Sequence, residues 1–221
     1  MAFTSAADVL PAVAFAVPPV LLDLSSPDSV PPKPCGVKAK LFNKCAFHVG
    51  GYNERRPHLY TSDLFTSSAA VALPLQNATH YKYGGSRTVH VGVDVAAPAG
   101  TKVRAPLPGV VVHAGYNGEE GDYGGVIVLE HGEEGGGRFY ALYGHLRKRD
   151  GKGWSEGDEV ARGDEVGRLG KRGENGGWEP HLHLQASVTR PSERDMPGVV
   201  REEDVERAIV EFPDPMVLLG L

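Results

Sequence analysis

Two runs, Gly109-Val-Val-Val-His-Ala114 and Val126-Ile-Val-Leu-Glu-His131, decide the fold class. Both are dominated by β-branched residues and are too short for buried helices, so both read as strands. Working outward, β-rich pieces of the same kind recur at 101–105, 138–143, 159–161, 165–169 and 181–188, separated by glycine turns. Of 29 glycines, 24 lie between Gly84 and Gly177, which concentrates the turn-forming residues in the same part of the chain. Many short strands with Gly and Pro at the corners predict an all-β, glycine-rich antiparallel fold, a two-sheet sandwich or barrel-like sheet. No helix of ordinary length fits there.

The ends differ in kind. Residues 1–34 are apolar but interrupted by Pro11, Pro18, Pro19, Pro27, Pro31, Pro32 and Pro34. A secretory signal needs a basic start and an unbroken apolar stretch of about 7–15 residues. Here Asp8 and the prolines break the stretch, and the first basic residue is Lys33. The segment therefore reads as an extended arm, and a cytoplasmic location is expected over a secreted one. Residues 60–65 read as a turn with short extended pieces. Near the other end, Val205, Ala208, Ile209 and Phe212 fall at i, i+3, i+4 and i+7, one apolar stripe on a short helix that Pro213 ends. Three parts are expected: an irregular arm and packing segment over 1–75, a β domain over 76–191, and a helical tail over 192–221. Both flanks are read as bracing the middle, without chemistry of their own.

Composition narrows the function. Of 221 residues, 41% are hydrophobic and 23% charged, enough to bury a core. A net charge of −5 argues against a partner built of phosphate backbone. No apolar run reaches the roughly 20 residues of a membrane span. Cys35 and Cys45 are too few for a disulfide scaffold and are read as free thiols.

The chemistry lies in histidines. In His90-Val-Gly-Val-Asp94, strand alternation puts an imidazole and a carboxylate on one face, with Gly92 leaving room between them. In His181-Leu-His183, two imidazoles share a face while Leu182 and Leu184 take the other. Zinc accepts His nitrogen and Asp oxygen at about 2.0–2.2 Å, and catalytic sites leave one position open. Either motif alone is weak, because wet strand faces often carry such pairs; together in a glycine-rich β domain they point to a metal. The helical His-Glu-x-x-His motif is absent.

These residues, with Pro98-Ala-Gly-Thr101, Pro108-Gly-Val-Val-Val112, Tyr143-Gly-His-Leu146 and Gly163-Asp-Glu-Val-Gly167, resemble the lysostaphin/LytM-type zinc metallopeptidases, which cut peptidoglycan cross-links. The likeness in order and spacing runs over about residues 84–188. It implies a duplicated hybrid motif fold with a groove, a Zn2+ held by His90, Asp94 and His183, and catalytic histidines His145 and His181. It implies a metalloendopeptidase that hydrolyses peptidoglycan-type or small-residue peptides by a metal-activated water, with a peptide or muropeptide as partner. His181 is assigned as the base and His145 as the orienting or stabilising group.

Tyr143, Asn175 and Trp178 are candidates for the substrate groove, and Trp154 for a further contact. His48, His58, His80, His113 and His131 are read as structural or surface residues, His131 as bonded to a neighbouring turn. Arg147-Lys-Arg149, Glu119–Asp122 and Glu133-Glu134 are read as solvated faces. Two other functions compete: a non-hydrolytic binding or regulatory module of the same fold, and a phosphohistidine or biotinyl carrier. Five intact histidine and aspartate positions argue against the first. The second loses its biotinyl form, since Met1, Met196 and Met216 lie far from any lysine.

Overall fold

The computed structural model describes residues 20–22, 48–61, 63–66, 86–132 and 137–220. Most of the arm, Cys35, Cys45, His80 and Glu133-Glu134 lie outside the described residues. Thirteen strands follow in chain order: β1 (Val20–Leu22), β2 (His48–Gly50), β3 (Glu54–Arg55), β4 (Val89–His90), β5 (Val93–Ala96), β6 (Lys102–Arg104), β7 (Gly109–Asn117), β8 (Gly124–His131), β9 (Phe139–Leu146), β10 (Glu159–Val160), β11 (Glu165–Arg168), β12 (His181–Ser187) and β13 (Val199–Val200). They form an eight-stranded sheet in the order β1-β2-β5-β12-β9-β8-β7-β10, a pair β11-β6, and a three-stranded sheet β13-β4-β3. The expected mostly β, antiparallel fold is what the chain adopts; among the described residues the one parallel pairing is β1 with β2.

The valine-rich runs have a physical cause. Val126, Ile127, Val128 and Leu129 on β8 are all fully buried. Ile127 and Leu129 join one core with Val111, Ala141, Tyr143, Leu182 and Leu184. Val126 and Val128 join another with Val112, Tyr140, Leu142, Ala208 and Phe212. The sheet is covered on both faces, which demands continuous apolar strands in place of half-polar ones.

The C-terminal segment supplies part of that cover. A 3-10 turn at Glu202–Asp204 leads into a helix at Val205–Glu211. Ala208 and Phe212 are buried against the sheet, but Ile209 is exposed, so the apolar stripe is narrower than the spacing suggests. Leu218 and Leu219 close over the first core. Residues 63–66 form one helical turn instead of an extended piece, and the rings of Tyr60 and Phe65 pack 5.0 Å apart.

Two departures from regular strands shape the site. Residues 90–94 are not one strand: β4 ends at His90 in the three-stranded sheet and β5 begins at Val93 in the large one. His90 and Asp94 therefore converge because the chain changes sheets at Val91-Gly92, and simple alternation does not account for it. The second departure is on β9. Ile127 pairs with Tyr143 but Gly125 pairs with Leu146, so β9 carries one extra residue, a bulge. Tyr143 and Leu146 both face the first core. His145, at φ +60°, turns to the opposite face.

Candidate metal and catalytic centre

Asp94 on β5 and His183 on β12 are direct cross-strand partners, so the pleat presents carboxylate and imidazole side by side. His90 reaches the same point from β4. Its Nε2 lies 3.0 Å from His183 Nδ1 and 3.3 Å from Asp94 Oδ1, and His183 Nδ1 lies 3.1 Å from that oxygen. All three ligand atoms fall within 4.8 Å of one another, the one such group of three among the described residues. Gly92 serves this arrangement through space: a Cβ there would meet the His183 ring.

The outward ring atoms settle what the inward ones carry. His90 Nδ1 donates to the Gly51 carbonyl at 3.4 Å. His183 Nε2 donates to Gln185 Oε1 at 3.2 Å, and the Gln185 amide is oriented by its own donation to the Pro197 carbonyl at 3.4 Å. With those nitrogens protonated, the inward nitrogens of neutral rings are bare. Burial, then the Arg56 guanidinium, pulls His90 down to about 4, so it is neutral at pH 7. Burial alone would push the Asp94 carboxyl up, but His90, Arg56 and His181 hold it well below the usual carboxylate range. In this tautomer two ring nitrogens and a carboxylate oxygen converge on one point, and these donor types suit zinc.

His145 and His181 stand beside this cluster with ring centroids 4.2 Å apart. His145 Nδ1 donates to the Asn175 carbonyl at 2.9 Å and His181 Nδ1 to the Glu179 carbonyl at 2.7 Å. Each Nε2 is therefore free, and that of His181 is 3.7 Å from Asp94 Oδ1. Burial holds His145 well below the usual histidine value, with His181 and His183 adding to the effect. Burial also lowers His181, against the pull of Asp94. Two neutral imidazoles with exposed lone pairs are proton acceptors at pH 7.

The groove candidates separate. Trp178 is part of the centre, 6.3 Å from the His145 ring and 6.5 Å from His181. Asn175 is fully buried; it serves His145 through its carbonyl and ties down the lip by donating Nδ2 to the Trp178 carbonyl at 2.9 Å. Tyr143 does not rim the groove. The bulge leaves it on the opposite face from His145, fully buried, with its hydroxyl 3.4 Å from His131 Nε2. Trp154 also belongs elsewhere, donating to the Val166 carbonyl at 2.8 Å and packing on the first core. His131 bonds the Pro108 carbonyl at 2.8 Å, the turn contact expected of it.

Sequence reading missed Gln185, Tyr123 and Arg56. Gln185 follows His183 by two on the same strand face, so alternation was enough to find it. Tyr123 packs its ring 5.2 Å from His183 and 5.8 Å from His145, and no motif marks it. Arg56 donates to Asp94 from a flank read as having no chemistry.

Residues 88–194 match peptidase family M23. The DD-carboxypeptidase/endopeptidase Mpg of Neisseria meningitidis serogroup B is 36% identical over 101 residues, covering 45% of this chain and 20% of that protein. The peptidoglycan DD-endopeptidase ShyC of Vibrio cholerae is 34% identical over 104 residues, 47% of this chain and 21% of that protein. The aligned part thus spans about a fifth of the length of these relatives. Among solved structures, the catalytic domain of the prophage-encoded M23 protein EnpA from Enterococcus faecalis is 28% identical, covering 51% of this chain and 78% of that one at a TM-score of 0.38. The antimicrobial peptidase lysostaphin from Staphylococcus simulans is 28% identical, covering 59% of this chain and 43% of that one, also at 0.38. Residues 88–194, a little under half of the chain, thus match the M23 family of peptidases.

Proposed function

We propose that the protein is a zinc-dependent endopeptidase that hydrolyses peptide bonds in peptidoglycan-type or small-residue-rich peptides. One observation carries the reading: three bare acceptor atoms of His90, Asp94 and His183 converge beside the paired rings of His145 and His181. The relatives named as endopeptidases, one of them acting on peptidoglycan by its name, support the substrate class.

His90 Nε2, Asp94 Oδ1 and His183 Nδ1 would hold the ion. When bound, zinc supplies Lewis acidity, which acidifies a water and polarises a carbonyl. The remaining work belongs to the chain. His181 Nε2, the free nitrogen nearer Asp94, takes the proton of the attacking water. Its Nδ1 bond to Glu179 keeps the ring in the accepting tautomer. The imidazolium formed is stabilised by the Asp94 carboxylate, which already pulls the His181 value upward. His145, held by the Asn175 carbonyl, presents Nε2 to the other side of the scissile bond. There its neutral ring orients the reacting groups, while the proton that His181 took from the water passes to the leaving amine as the C–N bond breaks. Trp178 walls the pair and excludes water from that side.

The test is metal analysis of the purified full chain combined with cleavage of muropeptides and oligoglycine. One zinc per chain and chelator-sensitive cleavage are expected. Stoichiometric zinc without cleavage of either substrate would replace the enzyme with a binding module.

A further inference from the structure

The flank before the M23 segment reaches the metal centre. β3 pairs with β4 so that Glu54 lies opposite His90 and Arg55 opposite Val89. The Arg56 backbone N–H continues the ladder onto the Thr88 carbonyl at 2.7 Å. This anchorage carries the Arg56 side chain inward, where it is 1% exposed. Its fork spends three nitrogens on three partners. Nε donates to Glu54 Oε2 at 2.6 Å, Nη1 to Asp94 Oδ2 at 2.5 Å, and Nη2 to the Gly51 carbonyl at 3.0 Å. That same Gly51 carbonyl accepts from His90 Nδ1.

The consequence is geometric. A carboxylate beside a cation can offer one oxygen or both. Asp94 Oδ2 is taken by a buried guanidinium, so only Oδ1 faces His90 Nε2 and His183 Nδ1. Because the guanidinium is planar, and Glu54 and Gly51 fix its other two corners, Asp94 cannot rotate without breaking a charge-assisted bond. A lysine in its place supplies charge but no fork.

Resting on the reading that His90, Asp94 and His183 bind a metal, we infer that Arg56 is a positioning residue which restricts Asp94 to a single ligating oxygen. Residues 51–56, which lie outside the M23 match, are on this view a working part of the centre. They keep a coordination position open that a two-oxygen Asp94 would fill.

The experiment uses the full chain with Arg56→Lys and Arg56→Met. Each protein, freed of metal, is titrated with cobalt(II) and its visible spectrum recorded; zinc affinity is measured by chelator competition, and kcat and KM on a muropeptide. For both variants a weakened visible band is expected, as an added Asp94 oxygen raises the coordination number. A change of about 10–100-fold in zinc affinity and a fall in kcat with KM nearly constant are also expected. A merely structural residue would lower stability but leave the cobalt spectrum alone. Arg56→Lys keeps the buried charge and carries the test if Arg56→Met fails to fold. Wild-type spectra and zinc affinity in a folded Arg56→Lys protein would overturn the inference while leaving the metal site intact. A wild-type chain that takes up neither metal would instead sink the metal-site reading itself.

Discussion

A Cβ placed on Gly92 would stand 2.5 Å from Cε1 and 2.7 Å from Nε2 of His183, with the Leu184 carbonyl oxygen at 3.0 Å. His183 is almost fully buried, and its outer nitrogen is engaged by Gln185. The ring cannot retreat without surrendering that bond. Gly92→Ala is therefore expected to displace His183 from Asp94, costing about 1–3 kcal/mol of stability by overpacking and roughly 10–100-fold in zinc affinity. Thermal unfolding and competition titration with a chelator check this. Wild-type zinc affinity in the variant would mean that the close approach is incidental.

The hydrogen bond from His183 Nε2 to Gln185 makes a separate demand. Gln185 is fully buried and supplies the acceptor that keeps the inward Nδ1 bare. In Gln185→Leu the N–H loses its partner, at about 1–3 kcal/mol for an unsatisfied buried donor. The ring is then free to present a protonated nitrogen to the metal. Zinc affinity should drop about 10–100-fold, while cleavage at saturating zinc falls less. Unchanged affinity would mean that another group fixes the tautomer.

His145 occupies left-handed backbone space, with φ +60°. Its N–H is held by the Tyr123 carbonyl at 2.7 Å, and its own carbonyl accepts from Gly170 at 2.8 Å. This conformation costs an L-residue about 1–2 kcal/mol and is what brings the ring beside those of His181 and His183. Both His145→Ala and His145→Gly should lose about 10²–10⁴ in rate. Glycine adopts positive φ without penalty, so His145→Gly should be more stable than His145→Ala by about 1 kcal/mol, the reverse of their order in regular structure. Denaturant titrations of the two variants decide it, and equal stability would refute the strain.

How much of this was legible in the sequence follows from which forces act locally. The valine-rich runs show the large sheet because its central strands are buried on both faces. His181 and His183 are legible because β12 is regular and alternation holds along it. Tyr143 misleads for the opposite reason: the bulge at 144–145 breaks the period of two, so counting back from His145 puts Tyr143 on the wrong face. The His90–Asp94 pair was found, although by a strand that the chain does not form. Arg56 was invisible, since its role depends on a pairing between β3 and β4 across more than thirty residues that no motif announces.

Asp195, beside Asp122, offers a prediction in which pH is the variable. Burial, with the neighbouring Asp122 charge, raises its carboxyl from 3.8 to about 7. Between those values the folded chain binds a proton that the unfolded chain has released, so stability falls as pH rises across this window. Below the lower value both states are protonated and the penalty vanishes; above the upper value it is complete. Asp195→Asn keeps the shape and removes the charge. Its thermal midpoint should therefore match wild type near pH 3.5, pull ahead progressively towards pH 7, and keep a constant lead above that. Melting curves at half-unit pH intervals make the comparison, with zinc omitted so that metal binding does not enter. A difference between the two proteins that does not vary with pH would show that Asp195 titrates alike in the folded and the unfolded chain.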